Sequence, residues 1–129
     1  FIKNSVFITM SYIKYEEQIR PIEIFINSKV FAHSVIYDTG GMAAMEAMVL
    51  GIPAIAFDLK GLRDAYPKGM HKIKSYNTEE FAQSIIEILN DKEYYNKLKN
   101  DAIHLSNEWD WNIHAHNLQS KLECLFDNS

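Results

Sequence analysis

Short runs of β-branched and aromatic residues alternate along this chain with longer segments of helical period, and that alternation leaves few folds open. SVFITM (Ser5 to Met10), SKVFAHSVI (Ser28 to Ile36) and IPAIAFD (Ile52 to Asp58) read as strands, with GMHKI (Gly69 to Ile73) as a weaker fourth. Strands separated by helices pair in parallel, with the helices laid on the sheet. IPAIAFD is apolar almost throughout, as a central parallel strand covered on both faces must be. The expectation is α/β: a parallel sheet of about four strands with helices on both faces.

The helical segments carry their own punctuation. YEEQIRPIEIFIN places Ile19, Ile22, Phe25 and Ile26 at helical spacing, and Pro21 either kinks this helix or starts its regular part. MAAMEAMVL (Met42 to Leu50) is followed by Gly51, a helix-terminating residue. SYNTEEFAQSIIEIL offers Asn77 or Thr78 as a cap, acids in the first turn, and Phe81, Ala82, Ile85, Ile86 and Leu89 as one face. A further helix aligns Tyr95, Leu98, Ala102 and Leu105, and a last one aligns Trp111, Ala115, Leu118, Leu122 and Leu125. No internal repeat, low-complexity segment or Gly/Ser/Pro-rich linker divides the chain, so residues 1–129 are read as belonging to one domain, which the resemblance described below implies is a partial one.

Charge and composition exclude several classes of function. A net charge of -4 and a pI near 5.7 argue against nucleic-acid binding, which needs clustered Lys and Arg. The basic KGMHKIK stretch, Lys68 to Lys74, is short and reads as a solvated turn and edge strand. The single cysteine, Cys124, rules out an intramolecular disulfide and a multi-cysteine metal site; it is expected in the core of a cytoplasmic protein. No apolar stretch reaches the length of a membrane span, and FIKNSVFITM lacks the features of a signal peptide. His114 and His116 fall on different helix faces, so no metal is expected.

The chemistry concentrates in YDTGGMAAMEAMVLGIPAIAFD, Tyr37 to Asp58. YDTGG should be the turn at the carboxyl end of a parallel strand, opening a helix at its amino end, where open α/β sheets bind ligands. Gly40 and Gly41 permit close backbone approach, and the unpaired amides near Met42 and Ala43 form an anion site suited to a diphosphate. Glu46 lies within Met, Ala, Val and Leu that read as buried helix, so it needs either a partner or a ligand. One turn beyond the anion site, it can accept two ribose hydroxyls. Asp38 on the turn can accept hydroxyls from a sugar. The bland alternatives stay open: Gly-Gly is ordinary turn chemistry, Asp38 caps the following segment, Glu46 pairs with a distant cation, and His33 packs at a strand end instead of lining a cleft.

These motifs resemble the carboxyl-terminal domain of GT-B glycosyltransferases, in particular the large retaining group 1, family 4-like class. That class carries an acid, seven intervening residues and a glutamate, then Ala-Met, a glycine, a proline and a short apolar strand ending in Asp. The same order here is Asp38, Glu46-Ala47-Met48, Gly51, Pro53 and AIAFD ending at Asp58. Gly61 and Asp64 in DLKGLRD match the class's next turn, Gly69 and NTEEFAQSI its following strand and acid-rich helix, and EWDWNIHAHNL its last helix. The resemblance spans roughly residues 15–122.

The resemblance implies a Rossmann-like half of a GT-B fold that binds a nucleotide-diphosphate sugar. Glu46 would hold the ribose, Asp38 the hexose, and the backbone of Gly40, Gly41, Met42 and Ala43 the diphosphate. No cofactor or metal is implied; UDP- and GDP-sugars are the candidate donors. Asp38 is one methylene shorter than the usual glutamate, and Thr39-Gly40 replaces a glycine-aromatic pair, which leaves the sugar open. The first strand-helix unit and the acceptor domain are expected to be missing, so Phe1 is expected to start inside a domain and the chain to be inactive alone. Arg20, Lys29, Lys60 and Arg63 are read as solvated surface cations. Partners implied are the donor, an acceptor domain and a second copy through the truncated face; peripheral membrane association belongs to the full-length enzyme. Two other readings are a nonhydrolysing nucleotide-sugar epimerase, against which the position of Glu46 counts, and a non-catalytic subunit of a split glycosyltransferase, which an apolar face near SVFITM would favour.

Overall fold

The computed structural model of the chain describes residues 5–8 and 21–127. Four parallel strands form one sheet in sequential order: β1 (Ser5–Ile8), β2 (Ser28–His33), β3 (Ala54–Phe57) and β4 (Met70–Ile73). Helices α1 (Pro21–Ile26), α2 (Met42–Val49), α3 (Lys60–Ala65), α4 (Thr78–Asn90), α5 (Lys92–Ser106) and α6 (Trp111–Asp127) connect and follow the strands. The expected α/β architecture is therefore present. The strand expected over Ser28 to Ile36 stops at His33, freeing Ser34 to Tyr37 to lead into the turn. Pro21 is the first residue of α1, the position where its missing N–H costs nothing. The segment expected to be helical before it, up to Arg20, lies outside the described residues.

Two apolar layers sandwich the sheet, because alternate strand residues face opposite sides. Phe31, Ala54 and Ala56 join Ala44, Ala47, Met48, Leu62, Tyr66, Ala102 and Leu105 on the α2 and α5 face. Val30, Ala32, Ile55, Phe57 and Ile73 meet Phe81, Ile88 and Leu98 on the α4 face. All four residues of β3 are buried, which accounts for the unbroken apolar run of its sequence. Burying a side chain such as Ile55 contributes about 1.5–3 kcal/mol.

Local signals end the helices where expected. After α2, Gly51 N donates to Met48 O at 2.9 Å and Ile52 N to Ala47 O at 3.0 Å, with Gly51 at φ +72°. This pair of bonds closes the helix on a left-handed glycine and turns the chain straight into β3. Asn77 caps α4 by accepting from Glu80 N at 3.2 Å.

Four expectations are corrected. DLKGLRD, read as a turn, contains α3; its sequence is too short for a visible period. Of the face expected for α4, Phe81 is buried and Ile85 and Leu89 pack half-buried against the same core, but Ser84 and Ile88 complete it while Ala82 and Ile86 are exposed: the helix is rolled so that Phe81 meets Phe57, ring centroids 5.0 Å apart. Cys124 is exposed, not in the core, because α6 presents its whole described surface to solvent. Glu46, read as sitting inside a buried helix, is exposed, for the reason given below.

Candidate functional site

The carboxyl ends of β2 and β3 and the amino end of α2 meet at the YDTGG turn, and a single carboxylate organises it. Asp38 Oδ1 accepts from Gly40 N at 2.7 Å and Gly41 N at 2.6 Å, and Asp38 Oδ2 lies 2.6 Å from His33 Nε2. Burial acts to raise the Asp38 carboxyl, but the two amides and His33 outweigh it and hold it below the ordinary carboxylate value of 3.8. The ionised acid is thus the working form of the turn.

A tyrosine braces the turn from the opposite side. Tyr66, fully buried just after α3, donates its hydroxyl to Gly40 O at 2.6 Å and Gly41 O at 2.9 Å. Burial, reinforced by the negative charge of Asp38, pushes this phenol up to about 12. Lys72 on β4 donates in turn to the backbone carbonyl of Tyr66, and burial pushes its ammonium below the usual lysine value. Gly41 adopts φ +57°, and a Cβ there would come within 3.0 Å of Leu62, so both conformation and space require glycine. Gly61 is close for a different reason: a Cβ on it would stand 3.2 Å from the Asp38 carbonyl, so α3 packs directly under the turn.

Helix α2 then projects from Gly41, whose carbonyl accepts from Ala44 N at 2.8 Å and Met45 N at 3.1 Å. The N–H groups of Met42 and Ala43, at its first two positions, have no acceptor within the helix. Ala44, Ala47 and Met48 face the core, while Met42, Glu46 and Val49 lie outward. A stripe of three inward residues among eight leaves a solvent face on a sequence that looks uniformly apolar. Glu46 therefore bears no burial cost. Among the described residues its carboxylate has no hydrogen-bond or ion-pair partner, and it follows Met42 by about 6 Å of helix rise.

A family model described as glycosyl transferases group 1 matches residues 8–105, most of the chain and all of this site. The chain belongs to that family. No curated protein sequence matches it. Among solved structures, sucrose-phosphate synthase from Thermosynechococcus elongatus superposes with a TM-score of 0.69 and 23% identity, covering 82% of this chain and 27% of that one. TarM superposes with a TM-score of 0.65 and 22% identity, covering 84% of this chain and 21% of that one. At these identities the likeness establishes the fold, that of one part of a GT-B glycosyltransferase. The chain spans about a quarter of the length of these two structures.

For this group 1 chain, the structure brings Asp38, Gly40, Gly41, Met42 and Ala43 together at one helix end and sets Glu46 on the solvent face of the same helix. The amides of Gly40 and Gly41 are engaged by Asp38, which leaves Met42 and Ala43, among the described residues, as the unengaged pair of the four expected diphosphate donors. The expected surface cations divide: Arg63 Nε stands 2.7 Å from Asp58 Oδ1 at the end of β3, Lys60 is exposed at the start of α3, Lys29 is exposed on the second residue of β2, away from the turn, and Arg20 lies outside the described residues. Sequence reading missed Tyr66 and Lys72. Tyr66 belongs to no motif, and Lys72, read within KGMHKIK as solvated, is half-buried; only the packing of α3 against the turn reveals them. The apolar face expected near SVFITM lies outside the described side chains. An uncovered apolar stripe occurs instead on α6, where Trp111 is 77% exposed and Leu125 69%. No helix among the described residues is long and apolar enough to cross a membrane.

Proposed function

We propose that this chain is the donor-binding part of a retaining glycosyltransferase that takes its sugar from a nucleoside-diphosphate sugar. The observation that carries the reading is Glu46: an exposed carboxylate with no partner among the described residues, one helical turn beyond two unengaged amides, at the carboxyl edge of a parallel sheet. A nucleoside diphosphate fits that arrangement, its ribose hydroxyls donating to Glu46 and its phosphate oxygens accepting from Met42 N and Ala43 N. The sugar then lies toward Asp38. As the glycosidic bond breaks, negative charge grows on the departing diphosphate, and the fixed amides with the helix dipole behind them stabilise it without reorganising. UDP- and GDP-sugars are the proposed donors, and the acceptor is held by a second domain of a GT-B enzyme, so the chain alone binds without transferring.

The test is calorimetric titration with UDP and GDP, on the wild type and on Glu46→Ala. Saturable binding to one nucleotide, weakened at least about tenfold in the variant, is expected. The unfolding midpoint should not move, since an exposed, unpaired side chain contributes within about 0.5 kcal/mol. A folded wild type that binds neither nucleotide refutes the donor site. Formation of an epimeric nucleotide-sugar without any acceptor would overturn transfer in favour of epimerisation.

A further inference from the structure

We propose that His33 is a positioning residue of the donor site: it holds the one carboxylate oxygen of Asp38 that is left to meet a sugar hydroxyl, and so lets the chain distinguish a nucleotide-sugar from the bare nucleotide. The proposal rests on the donor-site reading above and assigns His33 a part in it. An ionised carboxylate offers about four lone-pair sites. In Asp38 three are used among the described residues, two on Oδ1 by the Gly40 and Gly41 amides and one on Oδ2 by His33 Nε2. The remaining site is therefore on Oδ2, the oxygen that His33 holds. The last torsion of an aspartate is broad and soft, so a carboxylate tethered only through Oδ1 would swing. The 2.6 Å contact with His33 fixes its plane.

His33 is itself packed in place. Its side chain is 5% exposed, it pairs with Ala56 across the sheet, and its ring stacks on Phe31 with centroids 5.8 Å apart at 25°. With a carboxylate facing Nε2, the proton belongs on Nε2. Nδ1 is left buried with no hydrogen-bond partner among the described residues. An apolar side chain of similar size would stack on Phe31 without that orphaned nitrogen. What the imidazole adds is the Nε2 contact, and its beneficiary is Asp38. Rigid secondary structure thus supports a group on a loop, as precise ligand contacts require.

The experiment titrates wild type, His33→Leu and His33→Gln with UDP, GDP, UDP-glucose and GDP-mannose. In the wild type the matching nucleotide-sugar should bind more tightly than its nucleotide. His33→Leu should bind the nucleotide as before and lose about tenfold in nucleotide-sugar affinity. His33→Gln, whose amide can donate to Oδ2, should recover most of that loss. If His33→Leu does not fold, His33→Met makes the same comparison. Equal losses for nucleotide and nucleotide-sugar would mean a purely structural histidine and overturn the proposal, as would no loss for either. A wild type that binds nucleotides but gains nothing from the sugar overturns it while sparing the donor site; one that binds none of the four overturns both. The nitrogen spectrum of His33 should show a protonated Nε2, and an unprotonated Nε2 would likewise refute it.

Discussion

Replacing Tyr66 by phenylalanine removes one oxygen from the brace under the YDTGG turn and leaves the rest of the residue in place. The ring keeps its edge contact with Trp109, centroids 5.6 Å apart at 90°, and its place against α2 and α3. Two acceptors lose the hydroxyl. Gly41 O still accepts from Ala44 N and Met45 N, whereas Gly40 O has no other donor among the described residues. One net hydrogen bond plus one stranded, partly buried carbonyl amounts to about 1–3 kcal/mol. For a chain of this size that lowers the thermal midpoint by roughly 4–12 °C. The alkaline branch supplies a second signature. Between pH 10.0 and about 12 the native phenol keeps a proton that the unfolded chain has released, so the unfolded state binds fewer protons and stability falls as pH rises. Tyr66→Phe should flatten that fall. Thermal and urea unfolding across this range would measure both effects, and amide exchange at Gly40 and Gly41 should accelerate in the variant. A midpoint change worth less than about 0.5 kcal/mol, with exchange at the two glycines unaltered, would refute the idea that Tyr66 holds the turn.

Other substitutions separate fold from site. Gly69→Ala combines φ +75° with a Cβ 2.6 Å from the backbone of Ala102 and should cost about 2–5 kcal/mol in urea unfolding, whereas Gly40→Ala, with nothing within 4 Å, should stay within about 1 kcal/mol. His71 is held below the usual histidine value of 6.5 by burial, and its Nδ1 pairs with the Tyr94 hydroxyl. As pH falls below 6.5 the unfolded chain takes up this proton before the fold does, so stability should decline toward pH 5, by less in His71→Asn than in the wild type, as followed by urea midpoints. A chain ending at Asp110 should keep its unfolding midpoint, because the described part of α6 is exposed throughout, and should be more soluble at high concentration than the longer chain.

Element type was legible because hydrophobic period and punctuation are local. The run IPAIAFD, the glycine at 51 and the Asn77 cap each determine a strand, a stop or a start through a few neighbouring residues, and the structure follows all three. The spacing from Asp38 through Glu46 to Asp58 carried the family resemblance in the same way, and the group 1 match accords with it. Orientation was not legible. Whether Glu46 is buried depends on which side of α2 meets Phe31, Ala54 and Ala56, and MAAMEAMV is too evenly apolar to say. The roll of α4 and the exposure of α6 are decided likewise, by the surfaces those helices meet or fail to meet. The brace from Tyr66 and the anchor from His33 join residues 26 and 5 positions from their partners through hydrogen bonds. Such bonds form only once strands and helices have brought polar atoms within 3 Å or so of one another, and no periodicity encodes that distance. The sequence by itself determined the layers and the order of the binding motif; tertiary packing decided which face of α2 looks outward, and what holds its turn still.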